Sequence, residues 1–351
     1  MDSNTTITKE TKNKIRVDYE GKLSFKERLR AKLKASNTWI KASITVVRFI
    51  LMLGVSYVIL YPFFARIAES FMTESDIINP TVTFIPRDFT LEIYRSVIVD
   101  KHYLDALLNT FLLSLACALI QMLISCLIGY GLAKFKFKGN KLIMVTVIIT
   151  MVIPHMTLKR SLIQHFTEFD ILKVIGMGYK GPIELITGNV LRLSNTFWPL
   201  IILSICGLAF KNGLYIYLMR QFFKGVPDEL EESAYVDGAG TFRTFFQIIL
   251  PLAVPMMITV FLFSFSWQWT DEFYSTIFFI NPDPETKVYL MPDVYPLPYD
   301  SLIPQGTSST IKYETALQNT AGIMIIAPLV ILYLFCQRYL VQGIERSGLV
   351  G

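Results

Sequence analysis

Six long apolar runs constrain this 351-residue chain more than anything else in it, at residues 44–67, 103–127, 142–163, 197–218, 252–280 and 321–341. A helix crosses the hydrocarbon layer of a bilayer, about 30 Å thick, with about 20 apolar residues, and each run is near or above that length. In lipid the backbone must satisfy its own polar groups, which a helix does within one segment. The expected fold class is an all-α polytopic membrane protein with six transmembrane helices. Charge content agrees, since 17% of the residues are charged against about 25% in soluble domains. Pro154 interrupts the third run, and Pro328 falls inside the sixth. A membrane helix tolerates such a proline when neighbours satisfy the freed backbone groups.

The charges between the runs set the orientation. Residues 1–43 are rich in Lys and Arg, and the positive-inside rule puts them in the cytoplasm. The start of this extension is expected to be disordered. From Lys22 onward, Phe25, Leu29 and Leu33 recur every fourth residue among Lys26, Arg28, Arg30, Lys32 and Lys34. That spacing fits a basic amphipathic helix on an anionic membrane surface, or a solvated basic tail, and both readings stay open. The polar leader is longer than that of a signal peptide, and the first run is too long for a signal's core, so no cleavable signal is expected. Residues 69–102 carry mostly acids and are expected outside, as are 281–319, where Asp283, Glu285, Asp293, Asp300 and Glu314 outnumber the bases. The turn 129–139, with Lys134, Lys136 and Lys138, reads as cytoplasmic, its lysines at headgroup level. Residues 159–196 are expected outside although their slight basic excess runs against the rule. Arg338 and Arg346 keep the tail, 344–351, inside, so both termini face the cytoplasm.

The polar interruption at 227–251 carries its own helix punctuation. Asp228 can cap a helix, with Glu231 completing a capping box three residues on. Leu230 and Ala234 share a face, and Gly238 stops the helix where a left-handed residue is needed. Thr241 starts a second short helix through Phe242, Phe245, Phe246 and Ile249, and Pro251 is expected to end it. Two short helices at a glycine turn between spans make a docking element, with small Ala234 letting a partner groove approach the backbone.

Glu232-Ser233-Ala234, Asp237-Gly238-Ala239 and Ile248-Ile249-Leu250-Pro251 together resemble the EAA loop of ABC-importer permeases, with Ser233 where the family usually has Ala. The turn at 129–139, Val152-Ile153-Pro154 and the Gln337-Arg338-Tyr339 ending with Gly343 resemble the carbohydrate-type members, a family of maltose-type inner-membrane permeases. The resemblance implies a type I ABC importer permease fold over residues 44–343 and a bacterial plasma-membrane location. It also implies import of a carbohydrate, in particular an oligosaccharide. The implied partners are a second related permease, two ATP-binding subunits that hold the ATP and Mg, and an external substrate-binding protein. ATPase coupling would fall on Glu231, Glu232, Ser233, Ala234, Asp237, Gly238 and Ala239. No cofactor is expected on this chain, which has no Gly-x-x-x-x-Gly-Lys-Ser/Thr phosphate loop.

A second candidate site is Trp267, Gln268, Trp269, Asp271 and Glu272. From Leu252 to Asp271 a helix rises roughly 30 Å, which places these residues near the outer interface. Flat rings stack on sugar CH faces and carboxylates accept hydroxyl protons, so the group suits a substrate path. An aromatic interface belt with solvated acids explains the same residues. The four cysteines (Cys117, Cys126, Cys206, Cys336) and three histidines (His102, His155, His165) form no zinc-ligand spacing. No catalytic set stands out, and the uneven charge informs topology rather than nucleic-acid binding. The rivals are a permease for peptides or polyamines and a secondary transporter, which would need ionisable groups inside the spans.

Overall fold

The computed structural model describes residues 7–10, 16–19, 36–170, 181–280, 285–295 and 308–348, in two units, Met1–Ala65 and Arg66–Gly351. In the first unit, β1 (Ile7–Glu10) pairs antiparallel with β2 (Arg16–Tyr19), Ile7 opposite Tyr19. This hairpin replaces the expected disorder. Its β-branched and aromatic residues Ile7, Thr8, Val17 and Tyr19 favour strands. The amphipathic segment 22–34 lies outside the described residues. Helix α1 (Ser36–Glu69) follows, apolar and exposed from Ser43 onward.

The second unit is built, in its described elements, from helices joined by turns, with isolated β-bridges between Met72 and Phe89 and between Phe169 and Leu191. It contains α2 (Glu74–Ile78), α3 (Glu92–Asp100), α4 (Tyr103–Lys134), α5 (Asn140–Val152), α6 (His155–Thr167), α7 (Pro182–Thr187), α8 (Trp198–Ile205) and α9 (Asn212–Lys224). Then come α10 (Glu229–Val236), α11 (Thr241–Thr244), a π-helical turn (Phe245–Ile249), α12 (Leu250–Trp269), α13 (Phe273–Phe278), α14 (Met291–Val294) and α15 (Ser308–Gly348).

Among the described residues, four helical stretches are long and apolar enough to cross a membrane: Ser43–Glu69, Tyr103–Lys134, Thr241–Trp269 and Ile311–Leu340. The pair α5 and α6 counts as a fifth only if taken together, because it bends by 99°. The bend falls at Pro154, which lacks an N–H and forces Ile153 into an extended conformation (φ −65°, ψ 121°). The run 197–218 is not one helix either. It breaks between α8 and α9, where Gly207 (φ 71°) and Lys211 (φ 63°) both take left-handed backbone. In the run 252–280 the long helix ends at Trp269 and the short α13 follows it, and the last helix starts far ahead of residue 321.

Helix α4 is the central post, packed against α8, α9 and α12. Gly129 makes the α4–α9 approach possible, since a Cβ there would lie 2.7 Å from Met219 Cβ and 2.9 Å from Arg220 N. Small residues at helix contacts let backbones close up in membranes, where lipid gives no hydrophobic drive between helices. Buried Gln121 links three helices: its Nε2 donates to Ser204 Oγ (3.1 Å) and its Oε1 accepts from Ser264 Oγ (2.7 Å). Helix α15 is tied in at its proline. Pro328 cannot donate to Met324 O and its ring crowds that turn. Tyr103 Oη donates to Met324 O (3.0 Å), so a neighbouring span supplies the missing donor, and Trp269 Nε1 donates to the next carbonyl, Ile325 O (2.9 Å).

Candidate functional site

The loop 227–251 folds as a knuckle set on the end of a rod. Helix α10 ends at a Schellman turn: Ala239 N donates to Ala234 O (2.9 Å) and Gly238 N to Tyr235 O (3.0 Å). Gly238 has φ +81°, the left-handed conformation the turn requires. The chain restarts at Gly240 (φ −76°) and enters α11. Pro251 does not end this segment. The π turn, closed by Leu250 N to Phe245 O, absorbs the proline, and Thr241–Trp269 continues as one helical stretch.

The expected capping box does not form. Asp228 has helical backbone and no side-chain cap bond; its carboxylate instead accepts from Lys134 Nζ (2.5 Å), which also donates to Val226 O (2.6 Å). Lys134 is therefore not a headgroup-level lysine: its side chain is 6% exposed, and Glu231 Oε1 lies 4.0 Å away. The hydrogen bond from Lys134, with its charge, lowers the pKa of Asp228. Burial raises that of Glu231, with Lys134 opposing.

The coupling candidates divide by exposure. Glu232, Ser233, Asp237 and Gly238 face solvent, Glu231 and Ala239 are half-buried, and Ala234 is buried at 4%. Ala234 thus packs inside its own chain rather than lining a surface for a partner, because the helix turns that face toward α11 and the π turn. What the knuckle presents instead is apolar: Val236 is 87% exposed and Phe242 81%. Sequence reasoning passed over both, although large apolar residues in a short polar loop were the available signal.

The second candidate group does not converge. Trp269 is buried and held by Ile325, so it belongs to the helix packing and not to a substrate path. Asp271 accepts from Tyr274 N (3.1 Å) at the start of α13, and Glu272 is exposed. Gln268 and Asp271 share a small cleft with Thr110 and Ser275. Trp267 alone faces a different partner set: its ring lies 5.4 Å from that of Phe210, and Lys211 Nζ sits 5.1 Å from it. These residues lie beside a cavity of about 420 Å³ between the two broken spans, lined in part by Pro154, His155, Gly207, Lys211, Asn212 and Tyr274. A lysine inside the apolar run 197–218, flanked by Gly207 and Gly213, was a legible sign of this cavity that the sequence reading missed. Among the described residues, no cluster of His, Cys, Asp and Glu is placed to hold a metal ion.

Comparison with known proteins bears on both regions. Residues 121–346 match the family described as "Binding-protein-dependent transport system inner membrane component". The chain is 26% identical over 307 residues to the galactooligosaccharides transport system permease protein GanQ of Bacillus subtilis, covering 86% of this chain and 94% of that protein. It is 30% identical over 271 residues to the alpha-glucoside transport system permease protein AglG of Rhizobium meliloti, covering 77% and 63% respectively. In fold it resembles a chain from the crystal structure of a bacterial ABC transporter involved in the import of the acidic polysaccharide alginate. That match has a TM-score of 0.60 at 19% identity, over 91% of this chain and 99% of that one.

Proposed function

Because this multi-pass membrane chain belongs to the family of inner membrane components of binding-protein-dependent transport systems, we propose that it is the permease subunit of an ATP-driven importer carrying an oligosaccharide into the cell. Relatives named for galactooligosaccharide and alpha-glucoside transport support the sugar. A structural neighbour titled as an alginate ABC transporter in complex with a periplasmic protein bound to an alginate pentasaccharide supports an external binding protein as partner. A second permease and two ATPase subunits complete the assembly, with both termini of this chain cytoplasmic.

The observation that carries the coupling role is the continuity of Thr241–Trp269 with the knuckle that precedes it. At 1.5 Å per residue this stretch reaches roughly 43 Å, so a push at its cytoplasmic end moves its outer end as well. Lys134 clasps the front of the knuckle to the end of α4, and α4 is the post on which α8, α9 and α12 pack. Closure of the ATPase pair would shift knuckle, rod and post between two arrangements, opening the pathway to one side and then the other. The energy comes from contacts that differ between the two states.

Exposed Val236 and Phe242 are the anchors for the ATPase groove in this reading, with the acids Glu232 and Asp237 around them. Interface energy concentrates in a few fully buried anchors, aromatic ones above all, which makes Phe242 the stronger of the two. Val236→Asp with Phe242→Asp should abolish capture of the ATPase subunits and ATP-driven uptake while the permease still inserts. Uptake at the normal rate by this double variant would remove the knuckle as coupler.

A further inference from the structure

We propose that the cavity between the two broken spans is a subsite for the carboxylate of an acidic oligosaccharide, held by the Lys211 ammonium and the Asn212 amide. The inference deepens the carbohydrate-importer reading and rests on it. Irregular backbone inside a span is tolerated only where protein buries it or where it lines a water-filled cavity. Here two such breaks, at Ile153–Pro154 and between Gly207 and Lys211, line one cavity of about 420 Å³. That volume falls in the range of about 300–1,000 Å³ typical of small-molecule sites.

Two side chains lining this cavity have no hydrogen-bond or carboxylate partner among the described residues. Asn212 is 1% exposed, yet neither its Oδ1 nor its Nδ2 has a hydrogen-bond partner among the described residues. A buried amide without partners is costly unless a ligand supplies them, and an amide can both donate to a carboxylate and accept from a hydroxyl. Lys211 is the other. Its Nζ sits over the Phe210 and Trp267 rings at 4.9 and 5.1 Å, and no carboxylate among the described residues pairs with it. Its left-handed backbone (φ 63°) is a conformation that non-glycine residues seldom adopt, and such strain concentrates at functional sites. The amide would serve a neutral sugar equally well. The ammonium is the group that selects an acid.

The test is equilibrium binding of radiolabelled tri-galacturonate, and of the same trisaccharide with its carboxyls reduced to alcohols, to the reconstituted membrane complex without its external binding protein. Wild type should bind the acid form about tenfold more tightly or better, the scale of a hydrogen bond to a charged group. Lys211→Gln should erase that preference, Lys211→Arg should keep it, and Asn212→Leu should weaken both sugars. Equal binding of the two sugars by wild type, no binding of either, or a preference that survives Lys211→Gln would overturn the subsite. Uptake by the complete importer separates the two levels. If it moves no oligosaccharide of either kind, the carbohydrate reading fails; if it moves neutral sugars unaffected by Lys211→Gln, only the subsite fails.

Discussion

Replacing Gly238 and Gly240 with the same residue isolates the one conformational requirement of the knuckle. A Cβ at either position meets nothing within 4 Å, so steric contact is absent from both. They differ in backbone: Gly238 has φ +81°, whereas Gly240 has φ −76° at the N-cap of α11. Gly238→Ser takes on the left-handed cost of an L-residue, about 1–2 kcal/mol. Gly240→Ser does not, and serine is a favoured N-cap. A helix as short as α10 is marginal by itself, so the cost falls on the population of the ordered knuckle. With about 1.4 kcal/mol per factor of ten, affinity for the ATPase subunits should fall roughly 5- to 30-fold for Gly238→Ser and stay near wild type for Gly240→Ser. Gly238→Asn should recover most of the loss, because asparagine tolerates that conformation. Titration of the detergent-purified permease with the ATPase subunits measures all three, and ATP-driven uptake should follow the same order. Equal affinities for the two serine variants would refute the reasoning, since the Schellman turn would then not matter to docking.

Lys134→Met removes the ammonium from Val226 O, a charge-assisted bond of about 1.5–3 kcal/mol, so ATP hydrolysis should continue while sugar moved per ATP falls about tenfold or more; Lys134→Arg should retain coupling. Trp269→Phe removes the indole donor to Ile325 O, at about 0.5–1.5 kcal/mol, and should lower the thermal midpoint of the solubilised protein, whereas Trp267→Phe, on an exposed ring, should not. Gly129→Leu forces α4 away from Met219 and Arg220, where even a Cβ stands at 2.7 and 2.9 Å. At an overpacking cost of about 1–3 kcal/mol or more, it should shift the protein from the monodisperse to the aggregated peak on size exclusion.

The membrane class and the knuckle were legible because each rests on local pattern. Long apolar runs, a glycine after an acidic helix and a proline inside a run all state their consequence within a few residues. Pro154 signalled an interruption, but not that the chain would turn by 99°. The break before Asn212 left a sign, one lysine and two glycines, that a hydropathy window averages into an apolar run. Partners far along the chain were the other blind spot. Lys134 looks like an interface lysine until the fold brings Asp228, 94 residues on, to within 2.5 Å. Trp269 looks like a sugar-stacking ring until α15 presents the carbonyl of Ile325 to its Nε1. Ala234 was expected outward from its small size and its place in the EAA-like stretch, and only the packing of α10 on the turn after it sets its direction.

The most direct test of the coupling account is labelling of Val236→Cys, at a position 87% exposed, in a background where Cys117, Cys126, Cys206 and Cys336 are replaced. A membrane-impermeant maleimide should modify it in inside-out vesicles and leave it untouched in intact cells, and bound ATPase subunits should protect it. Modification from outside intact cells, or labelling that the ATPase subunits do not slow, would contradict a cytoplasmic knuckle driven by a separate motor.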